Sequence, residues 1–323
     1  MSQHLLAVDI GGTKLAAARF DIDGHGRCDL VAVQRAPTPQ DAAASRAIIT
    51  ALADEVACGI SLDAAGVSFG GPVDAARGVV RLSHHVHGWE DHPLAEEISQ
   101  RYGVPCALLN DADAGALGEH RWGAGREFSD MLYVTISTGV GAGLILAGQL
   151  HRGAHGLSGE IGHLPVSIDG PQCSCGRRGC LEAIASGPAI ARAARDARRC
   201  AAALTHSEQH TDVDDLDARA VAQAAKQGDE IASMVLAEAG RALGHGLAAA
   251  VLLCDPEAII LGGGVVKSGQ LFLQPAQTVL RARAVGDLPA VFISELAVEA
   301  PLYGAAAAAS DLLSDPCQRR DQQ

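Results

Sequence analysis

A chain of 323 residues exceeds one ordinary hydrophobic core, so two domains are expected, and a hydrophobic content of 48% excludes a disordered polypeptide. Aromatic residues make up only 3% against 37 glycines, which favours close backbone packing over large aromatic clusters. The formal charge of -13 argues against a nucleic-acid partner, which calls for a basic face, but leaves room for a small phosphate ligand cradled by backbone N–H groups.

The first element is the apolar run Leu5-Leu6-Ala7-Val8-Asp9, which ends in an acid. Ile10-Gly11-Gly12-Thr13-Lys14 and a second apolar run over residues 15–20 complete a strand, glycine turn and strand. Helical patterns occupy residues 41–58 and 93–102. Residues 104–109 read as a strand with Asn110-Asp111-Ala112-Asp113-Ala114 at its C-terminal end, and a helix pattern over residues 112–120 follows. The opening arrangement then recurs: a strand at 131–136, Ser137-Thr138-Gly139-Val140-Gly141, and a strand at 142–147. Two such units predict two related halves. Further helices are predicted at 188–204, 217–226 and 230–253, the last stopped by Asp255-Pro256. A buried strand at 258–261 runs into Gly262-Gly263-Gly264. Residues 205–215 read as a solvated loop, the alanine-rich 303–313 as a final helix, and the tail after Asp315 as frayed. No low-complexity linker divides the chain. The pattern is α/β.

No stretch matches the roughly 18 to 20 apolar residues that span a bilayer. The start, Met1-Ser2-Gln3-His4-Leu5, lacks the basic region and cleavage site of a secretion signal. Six cysteines (Cys28, Cys58, Cys106, Cys200, Cys254, Cys317) are scattered as free thiols would be. The expected compartment is the cytoplasm, with no membrane partner.

Neither glycine turn fits a P-loop, and Gly139-Val140-Gly141-Ala142-Gly143 is followed by a strand where a dinucleotide fingerprint requires a helix. What survives is a hairpin tip whose N–H groups approach a phosphate closely, with Thr13, Lys14 and Thr138 as further donors. The alternative is a pair of ordinary hairpin turns. Recurrence, and the acid Asp9 beside the first turn, favour the phosphate reading, because a carboxylate there suits Mg²⁺. Gly262, Gly263 and Gly264 form a third such place, suited to an adenosine.

The most specific segment is Gly159-Glu160-Ile161-Gly162-His163 followed by Cys173-Ser174-Cys175-Gly176-Arg177-Arg178-Gly179-Cys180-Leu181-Glu182. His163, Cys173, Cys175 and Cys180 supply the imidazole and three thiolates of a closed structural Zn²⁺ site, against the alternative of four unconnected residues. Glu160 and Glu182 flank the ligands, so such a metal fixes both carboxylates in direction. Asp111 reads either as a helix N-cap or as the base that a phosphate site needs to activate a hydroxyl.

Together these segments resemble the ROK family of sugar kinases and sugar-sensing repressors, over residues 5–309. The resemblance rests on the segments at 159–163 and 173–182, on Asp9 to Lys14, on Asn110-Asp111-Ala112, on Gly70-Gly71-Pro72-Val73-Asp74 and on Gly262 to Gly264. It implies a two-lobed actin-like fold, hexokinase-like and a ribonuclease H-like duplication, with a structural zinc loop. One lobe is expected over residues 1–115 plus 303–323, and the other, with the zinc loop and adenosine site, over 116–302. It further implies ATP-dependent phosphorylation of a hexose, at the 6-hydroxyl, with Asp111 as general base. Asn110, Glu160, His163 and Glu182 would bind the remaining hydroxyls, and Asp9, Gly11, Gly12, Thr13, Lys14, Thr138 and Gly139 would surround the phosphates and Mg²⁺. The expected partners are sugar, ATP and a second copy of the chain.

One departure concerns the sugar loop. His84-His85-Val86-His87-Gly88-Trp89 places His85 where an Asn is usual, which bears on the sugar rather than the reaction. Glucose is the first expectation; mannose, fructose or an N-acetylhexosamine are alternatives, as is a catalytically weak sugar-binding protein. A repressor would need a helix-turn-helix before the first strand, and only eight residues precede Asp9.

Overall fold

The computed structural model describes residues 2–83, 86–205 and 216–314. It begins with a meander: β1 (Gln3–Ile10), β2 (Lys14–Ile22) and β3 (Cys28–Pro37) pair antiparallel, β1 and β2 in register from Gln3↔Ile22 to Ile10↔Leu15. Next comes α1 (Ala42–Ala57), capped by the Asp41 carboxylate, which accepts from the Ala44 N–H, and ended by Cys58 at φ 43. That crossover lets β4 (Ala64–Phe69) pair parallel with β1. A short ribbon of β5 (Val73–Asp74) and β6 (Val79–Val80) and then α2 (Leu94–Tyr102) lead to β7 (Cys106–Asn110), parallel to β4, and directly into α3 (Asp111–Trp122).

The second sheet repeats the strand order of the first. It holds β8 (Met131–Ile136), β9 (Val140–Leu146) and β10 (Gln149–Leu150). Four helices follow: α4 (Glu182–Ala185), α5 (Gly187–Thr205), α6 (Ala218–Lys226) and α7 (Glu230–Cys254). Then come β11 (Ala258–Gly262), α8 (Gln270–Arg283), β12 (Ala290–Ile293) and α9 (Ala300–Ser314). The orders are β3-β2-β1-β4-β7 and β10-β9-β8-β11-β12, a three-strand meander extended by two strands after crossovers in each. The two related halves read from the recurrent glycine turns are present.

Several elements escaped the sequence patterns, among them the buried strand β4, the short β5, β6, β10 and α4, and three longer ones, β3, β12 and α8. β3 and β12 are edge strands with mixed burial, so neither carries a clean alternation. Pro275 lies inside α8 and reads locally as a helix breaker. Thr205, placed in a loop from the sequence, is the last residue of α5; the rest of that loop (206–215), the tail after Asp315, and His84 and His85 lie outside the described residues.

The chain divides into two compact units: Met1–Tyr133 with Gly143–Ser158 and Ser294–Gln323, and Val134–Ala142 with Gly159–Ile293. In the first, alternate residues of β1 feed opposite faces of the sheet. Leu6, Val8 and Ile10 pack with Ile49, Val56 and Trp89, while Leu5 and Ala7 pack with Phe20, Leu302 and Ala305. Helix α9 approaches both that second face and α3 at backbone distance: a Cβ on Gly66 would stand 1.9 Å from the Ala305 carbonyl oxygen, and one on Gly304 1.7 Å from that of Ala114 in α3. The alanine and glycine content thus builds close contacts, as the composition implied.

In the second unit α7 packs against α8 in the same way, and a Cβ on Gly240 would meet the Phe272 oxygen at 2.1 Å. Contrary to the count of apolar residues, α7 is long and apolar enough to cross a membrane by length and composition; 67% of its most apolar 18-residue stretch is buried inside the fold, as in a core helix.

Candidate active site

In the first unit the site grows from three adjacent strand ends. β1 carries Asp9 into the turn at Gly11 to Thr13, where the Gly11 N–H donates to the Lys14 oxygen at 3.0 Å. Thr38 pins this turn twice: its hydroxyl donates to the Gly11 oxygen at 2.7 Å and its N–H to the Thr13 oxygen at 3.2 Å. Thr13 stands exposed at the tip, and Gly11, Gly12 and Lys14 are half-buried. From β4, the Ser68 hydroxyl donates to the Asp9 carboxylate at 2.8 Å, with both residues buried.

β7 delivers Asn110 and Asp111. The Asn110 side chain both caps α3, accepting from the Ala112 N–H at 2.9 Å, and donates to the Gly71 oxygen at 3.1 Å. The capping role read as an alternative for Asp111 therefore belongs chiefly to its neighbour. Asp111 is the first residue of α3, its Oδ1 also accepting from the Ala112 N–H at 2.9 Å. A Cβ on Gly70 would lie 3.5 Å from the Gly11 Cα and 3.6 Å from Asp111 Oδ2, so a bare glycine separates the turn from this carboxylate. Burial first, and then the charge of Asp9, push the Asp111 carboxyl up to about 7. Burial likewise raises Asp9 to about 6 against the opposing Ser68 hydrogen bond. Burial raises both acids and the charge of Asp9 adds to the rise of Asp111, which fits a nearby divalent cation whose charge would relieve both.

The second unit holds the other hairpin. The Ser137 N–H closes its tip on the Gly139 oxygen at 2.8 Å, and Thr138 is exposed there. Val140, the first residue of β9, is engaged from two sides. Its N–H donates to Glu182 Oε2 at 3.1 Å, and its carbonyl oxygen lies where a Cβ on Gly162 would come within 2.0 Å. A Cβ on Gly139 would stand 2.7 Å from Glu182 Oε2, so a side chain there would push this carboxylate aside.

Beside this hairpin the donor atoms of His163, Cys173, Cys175 and Cys180 all lie within 4.8 Å of one another. His163 Nδ1 is 3.8 Å from Cys173 Sγ, and Cys175 Sγ is 3.7 Å from Cys180 Sγ. Thiolates about 2.3 Å from a tetrahedral zinc sit roughly 3.8 Å apart, so the donor set fits Zn²⁺. The backbone N–H and guanidinium of Arg177 draw the Cys175 thiol down to about 6, toward the thiolate that a metal binds. The His163 Nε2 faces away from the cysteines, 3.8 Å from Glu160 Oε2. Glu160 is exposed, and Glu182 holds Ser174 Oγ at 3.5 Å through its second oxygen.

The three glycines after β11 are not alike. Gly262 is buried in the strand, and Gly263 (φ 89) packs so that a Cβ would come 2.2 Å from the Ile136 oxygen. Only Gly264 is exposed with open space around it. Packing against β8 by itself accounts for the glycine at 263. Sequence reasoning missed Thr38 and Ser68. A lone polar residue in the buried run of β4 was the available signal for Ser68.

Two mixed sheets of one strand order, each with a glycine hairpin, and an acid at the end of a parallel strand define the class as a duplicated α/β fold with its polar residues gathered at strand ends. The chain belongs to the ROK family, whose model matches residues 5–311. It is 33% identical to a glucokinase of Streptomyces coelicolor over 96% of this chain and 98% of that one. It is 35% identical to an N-acetylmannosamine kinase of Shigella flexneri over 81% and 83% respectively. The crystal structure of a ROK family glucokinase from Streptomyces griseus, in complex with glucose and AMPPNP, superposes with a TM-score of 0.81 at 36% identity, covering 95% of this chain and 99% of that one.

Proposed function

We propose that this protein transfers the terminal phosphoryl group of ATP to a hydroxyl of a hexose, glucose first among the candidates. The observation that carries the reading is Asp111: a carboxylate at the end of a parallel strand, held up to about 7 by burial and beside the Asp9 turn. Such a group can accept a proton from a hydroxyl near neutral pH and is poorly suited to any purely structural task. Likeness to glucokinases over nearly the whole length supports both the reaction and the sugar class.

In this reading Asp111 takes the hydroxyl proton as the sugar oxygen attacks phosphorus. Asn110, fixed by its bonds to Ala112 and Gly71, orients a neighbouring hydroxyl. Asp9 lies where magnesium bound with the nucleotide would neutralise phosphate charge, and the tip of the first turn at Gly12 and Thr13, beyond the Gly11 N–H that closes it, would meet the phosphates. Glu160, His163 and Glu182 bind further hydroxyls. His163 gives Nδ1 to the zinc set and keeps Nε2 for the sugar, so the zinc loop orders the sugar-binding residues within an actin-like, two-lobed kinase that works as a homodimer. An ADP-release screen over glucose, mannose, fructose, N-acetylglucosamine and N-acetylmannosamine tests the reading. Turnover with glucose is expected, and absence of sugar-dependent ADP release across the panel overturns it.

A further inference from the structure

The first unit contains a cavity of about 840 Å³ that includes none of the residues assigned above. It lies behind the sheet edge. One wall is the start of β7 (Cys106, Ala107 and Leu108), and another is the last turns of α3 (Leu117, His120 and Arg121). The cations are the unusual feature in a chain of formal charge -13. Arg77, Arg121 and Arg152 all line this one cavity, against Glu96 and Asp311 as the acids. Arg121 is committed to Asp311, at 2.8 and 3.1 Å, and Glu96 accepts from Gln100 at 2.9 Å. The guanidinium groups of Arg77 and Arg152 have no acidic partner among the described residues, and both residues are exposed.

Two unpaired guanidinium groups offer forked donors suited to phosphate oxygens. Of the remaining polar lining, which also includes the His120 imidazole, the Ser99 hydroxyl and the Gln149 amide can meet hydroxyl groups. The volume lies in the range of organic ligand sites and far exceeds a bare phosphate ion. Among the described residues no Phe, Tyr or Trp lines the cavity, which leaves the small imidazole of His120 as its one ring and favours a ligand without a nucleobase. We infer that this cavity is a second ligand site, separate from the active site, that takes a phosphorylated polyol such as a sugar phosphate. Because β7 ends in Asn110 and α3 begins at Asp111, a ligand there bears on both elements that carry the base.

The test is calorimetric titration of the full-length protein with fructose 1,6-bisphosphate and, separately, with inorganic phosphate. It is run on the natural sequence and on the double variant Arg77→Gln/Arg152→Gln, in which everything assigned to the active site is unchanged. Both side chains are exposed and unpaired, so the variant should fold; its thermal unfolding is recorded alongside. The bisphosphate is expected to bind the natural protein and to bind the double variant at least about tenfold more weakly, as the loss of charge-assisted contacts implies. Equal binding by the two proteins, no binding by the natural one, or inorganic phosphate binding as tightly as the bisphosphate overturns the inference.

Discussion

The carboxylate of Glu182 accepts a hydrogen bond from the backbone N–H of Val140 at 3.1 Å, tying the end of the cysteine-rich loop to the tip of the second glycine hairpin. Glu182 follows Cys180 by two positions, so whatever orders the cysteines also sets this bond. Its role is therefore wider than the sugar contact that family resemblance implies. In Glu182→Ala the Val140 N–H loses its acceptor, and KM for ATP is expected to rise about tenfold along with that for the sugar. Glu182→Gln keeps an acceptor for Val140 and should restore the ATP value while leaving the sugar defect. Steady-state kinetics with each substrate varied decides; an ATP KM unchanged in the alanine variant contradicts the coupling.

Replacing the proposed base is the sharpest test of chemistry. Asp111→Asn preserves shape and is expected to lower turnover by roughly 10²- to 10⁴-fold, the usual worth of a positioned base. Sugar binding, followed by calorimetry, should survive. A folded variant with near-normal turnover would falsify the assignment.

The raised acids also predict two pH responses. Asp111 must be ionised to accept a proton, so kcat/KM for the sugar should fall about tenfold per pH unit below an apparent value near 7. For stability the sign is opposite to that of a salt-bridged acid. Asp111 binds its proton more tightly folded than unfolded, so its contribution declines as pH rises from about 4 through 7. Without metal or ligand, Asp111→Asn should therefore be more stable than the natural protein at pH 8, by about 1 to 3 kcal/mol, with the gap closing near pH 4. Urea denaturation at the two pH values measures this; a destabilised variant at pH 8 contradicts the pKa ordering.

Metal analysis of the purified protein should find about one zinc per chain, with absorption fine structure giving Zn–S distances near 2.3 Å. Chelation or Cys175→Ser is expected to weaken sugar binding as well as thermal stability, since His163, Glu160 and Glu182 share the same loop. Active protein that holds no zinc would remove the metal from the account.

What the sequence displayed best was local. The cysteine and histidine spacing brought four donors together, and the recurrent glycine turns announced two sheets of one order. Asp111 stood out because a strand and a helix flank it directly. Long-range partners were invisible: Thr38 reaches the first turn across 27 positions and Ser68 reaches Asp9 across 59. No local periodicity encodes such pairs. Gly263 reads two ways for a related reason, because a glycine required by a neighbouring strand looks the same in sequence as one required by a ligand.

The packing of α9 has a consequence for how the protein is made. The sheet formed by residues 3–110 keeps Leu5, Ala7 and Phe20 uncovered until Leu302, Ala305 and Ala306 arrive from the far end of the chain. At synthesis rates of about 5–20 residues per second, that face waits on the order of ten seconds or more after its own strands are complete. The second unit, apart from its first hairpin, is continuous in sequence and can finish earlier. Translation thus leaves the first unit, with Asp9 and Asp111, as the last to close. A nascent chain stalled before residue 300 should carry an apolar surface that recruits chaperones and resists no protease, whereas release of α9 should seal it in one step.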